Sequence, residues 1–247
     1  MDDYRIVILS RKRSFNMPVV RHLLPTATVT VEESEMEAYA PFVPSHLLVP
    51  HPKLPGPGMT PLRNWVLDNF PEPCIVQSDD DFQFVKVLGG ACRILKHPAD
   101  VQRLIENAIQ ICCDLDIGVF NWSPLVMAGR TYSARDPICF TRDCWGVFGM
   151  RGRARAERRF DVKAIALQDI DWSLQAVRDD RILLTDMRYH FDVGENRTKP
   201  GGNMHSDAEK WRTMAVDYLR TKWGPMIPLL PKGQRQPVRP TIPRRQP

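Results

Sequence analysis

No Gly-x-Gly-x-x-Gly follows the first apolar run, and no Walker-type Gly-x-x-x-x-Gly-Lys-Ser/Thr occurs anywhere in the 247 residues. These absences argue against a dinucleotide dehydrogenase and a P-loop enzyme, whose phosphates sit on such glycines. No apolar run reaches the roughly 18 residues that a membrane span needs. The opening Met1-Asp2-Asp3 is acidic and is not followed by the apolar stretch of a secretory signal. The six cysteines (Cys74, Cys92, Cys112, Cys113, Cys139, Cys144) have no paired metal-ligand spacing. They read as reduced, buried thiols, so the expected location is cytoplasmic. There is no internal repeat.

Charge is present but unevenly placed. The net charge of +5 comes from residues 225–247, which hold five basic side chains, no acid and seven of the 22 prolines. That stretch is expected to be an extended or disordered tail. Residues 1–224 then carry 29 basic and 29 acidic groups, as a single neutral domain. A second basic run, Arg151-Gly152-Arg153-Ala154-Arg155-Ala156-Glu157-Arg158-Arg159, lies inside that domain. It reads either as a mobile loop facing phosphates or as a solvated helix face.

Residues 5–10 form an apolar run ending at Ser10-Arg11, and a short helix over residues 15–24 stops at Pro25. Residues 27–31 are β-branched and end at Glu32-Glu33. Ser34-Glu35-Met36-Glu37 has the form of a capping box for a second helix. Residues 46–50 give a third strand, and Thr60-Pro61 opens a third helix with Leu62, Trp65 and Val66 on one face. A fourth strand, starting at Cys74, runs into Asp79-Asp80-Asp81. Strand and helix alternate throughout, which predicts an α/β fold with a mostly parallel sheet flanked by helices.

Pro98 opens an amphipathic helix, and a strand over residues 117–120 follows. Residues 121–149 show no period and read as a functional loop. Gln168-Asp169-Ile170-Asp171 precedes a helix, with Asp171 its expected cap. Residues 181–186 form a strand, with Tyr189-His190-Phe191 just beyond. A last helix begins at the capping box Ser206-Asp207-Ala208-Glu209, with Trp211, Met214, Ala215, Tyr218 and Leu219 on one face.

Three adjacent carboxylates repel one another, and a divalent cation is the usual reason to keep them together. At the carboxyl end of a strand they sit where open α/β sheets bind ligands. The alternative is a solvated acidic turn.

Leu9-Ser10-Arg11-Lys12-Arg13, Ser78-Asp79-Asp80-Asp81 and Gln168-Asp169-Ile170-Asp171-Trp172-Ser173-Leu174 together resemble the TET/JBP-associated glycosyltransferases. Thr185-Asp186-Met187-Arg188 and Gly201-Gly202-Asn203 also fit. This family is of the GT-A type, has many phage members, and is linked to sugar modification of 5-hydroxymethylcytosine in DNA. The resemblance implies a GT-A-like fold, a UDP-sugar donor and a Mn2+ or Mg2+ ion. It implies location in the cytoplasm, that of the host for a phage-encoded chain.

Residue by residue, the resemblance gives Asp79 and Asp81 the ends of an Asp-x-Asp metal motif, in which Asp80 could replace either, with His190 or His205 completing the metal site. Ser10, Arg11, Arg13, Glu32 (or Glu33), Arg63, Asp80 and Gly202 would bind the donor. Asp169 matches the last carboxylate of an x-Glu-Asp motif, with Gln168 in place of the Glu, and would be the general base. Trp145-Gly146-Val147-Phe148-Gly149 stands where the donor-sugar loop is expected. For a DNA acceptor, Arg151, Arg153, Arg155 and Arg158 would meet the backbone, and Trp122, Tyr132 or Trp145 the base. Competing readings are a glycosyltransferase with a protein or small-molecule acceptor, a metal-dependent nuclease or phosphohydrolase, and a non-catalytic DNA-binding protein.

Overall fold

The computed structural model describes residues 3–56, 58–88, 93–123, 136–140, 144, 146–193 and 208–227. Its first third follows the alternation read from the sequence. β1 (Tyr4–Leu9), α1 (Met17–Leu23), β2 (Thr28–Glu32), α2 (Met36–Tyr39), β3 (Leu48–His51), α3 (Thr60–Asn69) and β4 (Cys74–Asp79) succeed one another. The four strands pair in parallel in the order β3-β2-β1-β4. Ile6 and Ile8 of β1 face α1, Tyr39 and the helix after Pro98, whereas Val7 and Leu9 face α3. Both faces of the strand are therefore covered, which is why its sequence is a continuous apolar run without a period of two.

The rest of the chain comprises β5 (Phe84–Val87), β6 (Arg93–Leu95), α4 (Pro98–Asp114), β7 (Val119–Trp122), β8 (Ile138–Cys139) and β9 (Val147–Arg151). Then come α5 (Gly152–Glu157), α6 (Gln168–Asp180), β10 (Leu184–Asp186), β11 (Tyr189–Asp192) and α7 (Ala208–Trp223). The main sheet has eight strands in the order β3-β2-β1-β4-β9-β7-β10-β8, and β11-β5-β6 form a small second sheet. The fold is thus a mixed, mostly parallel α/β sheet flanked by helices. Among the described residues, no helix is long and apolar enough to cross a membrane.

β9 is the main departure from expectation. The end of the aperiodic stretch is a central strand, antiparallel to both β4 and β7. Val147, Phe148 and Gly149 therefore lie inside the sheet and are buried, not in a loop. Gly146 and Gly149 cut its apolar run to Val147-Phe148, so the segment reads as a turn. Gly149 has a packing reason: a Cβ there would lie 2.0 Å from Cζ of the buried Phe120. Gly149→Ala is expected to destabilise the fold by about 1–3 kcal/mol through overpacking, read as a lowered Tm.

Smaller departures concern helix ends. Ser34 does not cap α2; its hydroxyl donates to Glu32 Oε1 at 2.8 Å. In α7, Ala215 and Leu219 are buried as expected, but Met214 is 52% exposed. Ser206 and the 228–247 part of the tail lie outside the described residues, as do Gly202, His205, Tyr132 and Trp145.

Candidate active site

The carboxyl ends of β1, β2, β3 and β4 share one edge of the main sheet, and the Asp triplet lies there. The turn after β4 separates its members by burial. Asp80 is 4% exposed. Its neighbours Asp79 and Asp81 have side chains 36% and 24% exposed. The expectation that Asp80 binds the donor directly is therefore not met by its position.

Asp80 is the inner end of a hydrogen-bond chain. The Arg13 amide donates to the Tyr39 hydroxyl at 2.9 Å. That hydroxyl lies 2.6 Å from Ser10 Oγ, and Ser10 donates to Asp80 Oδ2 at 2.5 Å. Ser10 gives its one proton to Asp80, so Tyr39 donates to Ser10; burial pushes the Tyr39 phenol up to about 12, keeping it protonated. Burial likewise pushes the Asp80 carboxyl up to about 7, against the opposing pull of Ser10 and Arg13. Ser10 is thus a buried strut beneath the rim.

Two arginines hold the outer carboxylates. Arg13 Nη1 reaches Asp80 Oδ1 and Asp81 Oδ2, each at 3.1 Å. Arg63, on the first turns of α3, is 2% exposed. Its guanidinium contacts Asp79 Oδ1 at 2.6 Å and Gln77 Oε1 at 3.1 Å, over the rings of Phe148 and Phe160 at 5.0 and 5.8 Å. Burial, then the nearby Asp79 charge, raises the Asp81 carboxyl above its ordinary value.

On the same sheet edge, a cavity of about 410 Å³ opens over the ends of β1, β2 and β3, lined by Arg11, Glu32, His51, Lys53, Met59 and Leu62 among others, though not by the Asp triplet itself. The structure thus brings Arg11 and Glu32 together in one pocket. His51 and Lys53 were not singled out in the sequence; the polar end of a third parallel strand is the signal that could have found them. Tyr39 left no such signal, being one aromatic residue in a short helix.

The helix that carries Asp169 is joined to the end of β4 from far along the chain. Asp169 lies in the first turn of α6, partly buried, with Oδ1 accepting from the Ile170 amide at 2.9 Å. Ser173 donates to the Asp169 carbonyl and accepts from the Cys144 amide, both at 2.7 Å. Two residues on, the Gly146 carbonyl accepts from the Asp79 amide at 3.1 Å. These contacts join the first turns of α6 to the end of β4.

Other expectations are redirected. Asp171 is not the cap of α6: it is fully buried and bonded to Lys222 and Trp223. His190 is 3% exposed, with Nδ1 2.7 Å from the Ser123 carbonyl and Nε2 4.0 Å from Asp192. Among the described residues, no three or more His, Cys, Asp or Glu side chains gather as a metal site. Trp122 is 2% exposed and packs on Phe120 and Phe191, so it offers no face to a base.

The structure does not bring Arg151, Arg153, Arg155 and Arg158 to the rim. Arg151 pairs with Cys74 at the opposite end of β4, and α5 starts there. Arg155 donates to the Glu72 and Phe70 carbonyls, Arg158 pairs with Asp179 and Asp180, and Arg153 pairs with Glu157.

The sequence model of the TET-associated glycosyltransferases matches residues 4–203. No curated protein matches the chain. Solved structures similar to it include S. aureus TarS 1–349, at 9% identity and a TM-score of 0.49, covering 90% of this chain and 72% of that one. The UDP complex of TarS 1–349 has the same identity and coverage and a TM-score of 0.46. A UDP-glucose pyrophosphorylase complexed with UDP-glucose has 5% identity and a TM-score of 0.46, covering 90% of this chain and 100% of that one.

Proposed function

From the chain's membership of the TET-associated glycosyltransferase family, which makes it a glycosyltransferase, we propose that it transfers a sugar from a UDP-sugar to the hydroxymethyl group of 5-hydroxymethylcytosine in DNA. The observation that carries the donor half is the outward pair Asp79 and Asp81 on the same sheet edge as the pocket of Arg11, Glu32, His51 and Lys53. A basic and an acidic side chain in one apolar-walled cleft suit a nucleoside with its phosphates.

The donor set fits a hard divalent cation. Magnesium-type ions commonly take one or two carboxylates and fill the remaining positions with substrate phosphate and water. Asp79 and Asp81 would hold Mn2+ or Mg2+, which when bound neutralises the charge developing on the departing diphosphate. A third protein ligand is not required for that role, and His190 is left out of it.

The chain's own residues do the rest. Arg11 and Lys53 attract the phosphates, and Glu32 accepts hydrogen bonds from the base or ribose. Asp80, tied to Ser10, Tyr39 and Arg13, holds the turn that presents its two neighbours. Asp169 takes the proton from the acceptor hydroxyl while that oxygen forms its bond to the anomeric carbon and the bond to UDP breaks. Hydroxymethylated DNA would approach the rim that carries Asp169. The arginines of residues 151–158 lie at the other end of the sheet and have no part in this approach.

Calorimetry with UDP tests the donor site: binding is expected with Mn2+ present and lost on chelation. Absence of binding with either Mn2+ or Mg2+ overturns the UDP assignment. Mass spectrometry of hydroxymethylated DNA incubated with UDP-sugars tests the acceptor. A sugar adduct is expected; transfer only to a protein or small molecule overturns the acceptor assignment.

A further inference from the structure

The family match ends at residue 203, yet α7 lies beyond it and packs on the helix that carries Asp169. One apolar cluster joins Leu167, Ile170 and Leu174 to Ala215, Leu219 and Trp223. Leu167 and Ile170 bracket Gln168-Asp169, so the turn bearing the acid is gripped on both sides.

A polar clamp sits in that interface. Asp171 is fully buried and accepts from Trp223 Nε1 at 2.7 Å and from Gln175 Nε2 at 2.7 Å. Lys222 Nζ lies 2.8 Å from Asp171 Oδ1 and 3.0 Å from Oδ2. The same ammonium reaches Asp161 Oδ2 at 2.8 Å, and Asp161 also accepts from the Tyr218 hydroxyl at 2.5 Å. One cation therefore bridges a carboxylate ahead of α6 and another two residues after Asp169.

Stability alone does not call for such an arrangement. A buried ion pair is often no better than the apolar residues that would fill its volume. What it adds is direction: an apolar contact lets a helix turn about its axis, whereas bonds from Lys222 and Trp223 of a second helix to one carboxylate do not. We propose that Lys222 and Trp223 are positioning residues, which fix the rotation of α6 through Asp171 and so aim Asp169 at the rim. This rests on Asp169 being the general base. It makes α7 part of the catalytic unit although the family match stops short of it.

The full-length Lys222→Met chain, which keeps the alkyl stem and loses the charge, tests the clamp. Amide hydrogen exchange over residues 168–174 is expected to rise about tenfold, with β1 and β4 unchanged. With a saturating acceptor, kcat is expected to fall about 10- to 100-fold while the donor KM stays within about twofold. Trp223→Phe keeps the ring and loses one hydrogen bond; it serves where Lys222→Met does not fold, with about a threefold fall in kcat expected. A folded variant whose exchange over 168–174 matches the parent overturns the proposal. So does one that exchanges faster there yet keeps full kcat. Full turnover by Asp169→Asn would overturn the base assignment and the aiming role with it, and the exchange result would then report on docking alone.

Discussion

Asp169→Asn is expected to lower kcat for sugar transfer by about 10²–10⁴-fold, the usual worth of a positioned general base, and to leave donor affinity nearly unchanged. Asn keeps the shape of the side chain and can still accept from the Ile170 amide through its carbonyl oxygen. It cannot take a proton. The loss corresponds to about 3–5 kcal/mol of transition-state stabilisation, at 1.36 kcal/mol per tenfold in rate. Single-turnover kinetics on hydroxymethylated DNA, with UDP titrated in parallel, separates the two quantities. Unchanged turnover at saturating donor would remove Asp169 from the chemistry. A parallel loss of UDP affinity would make it a donor ligand instead.

Asp79→Ala combined with Asp81→Ala is expected to abolish Mn2+-dependent UDP binding and to lower kcat/KM by about 10³-fold or more, since the metal is worth several kcal/mol of transition-state stabilisation. Calorimetry of UDP with Mn2+ reads the first effect, and initial rates read the second. Asp80→Asn is the informative contrast. Its carboxylate points into the body towards Ser10 and Arg13, so the Mn2+ titration is expected to survive in that variant. Loss of the Mn2+ response in Asp80→Asn, with Asp79→Ala/Asp81→Ala retaining it, would reverse the assignment within the triplet.

Alternating apolar runs and amphipathic segments are local signals, and through them the first seven elements were legible in the sequence nearly residue by residue. β9 was not, because Gly146 and Gly149 leave only a two-residue apolar run, Val147-Phe148, which reads as a turn rather than a strand. The two acidic motifs were legible as chemistry. The link between them was not, since the path from Asp169 through Ser173 and Cys144 to Gly146 and Asp79 joins segments far apart in the chain.

The same limit explains the redirected residues. Trp122, His190 and Asp171 are polar or amphipathic side chains that suit a site by type, and only packing decides whether they face solvent or core. The arginine run read equally well as a phosphate-facing loop or a helix face. Its paired register with the far end of β4 is a property of the sheet, not of the run.

The sequence by itself determined the α/β class, the parallel first half and the three consecutive carboxylates, because periodicity and residue chemistry act over a few neighbouring positions. Only the tertiary structure decided that Asp80 turns inward while Asp79 and Asp81 turn out. It also decided that Asp171 anchors α7 and that the first turns of α6 are joined to the end of β4. Those outcomes depend on which distant groups fill each side of a strand or helix, and the folded chain alone sets that.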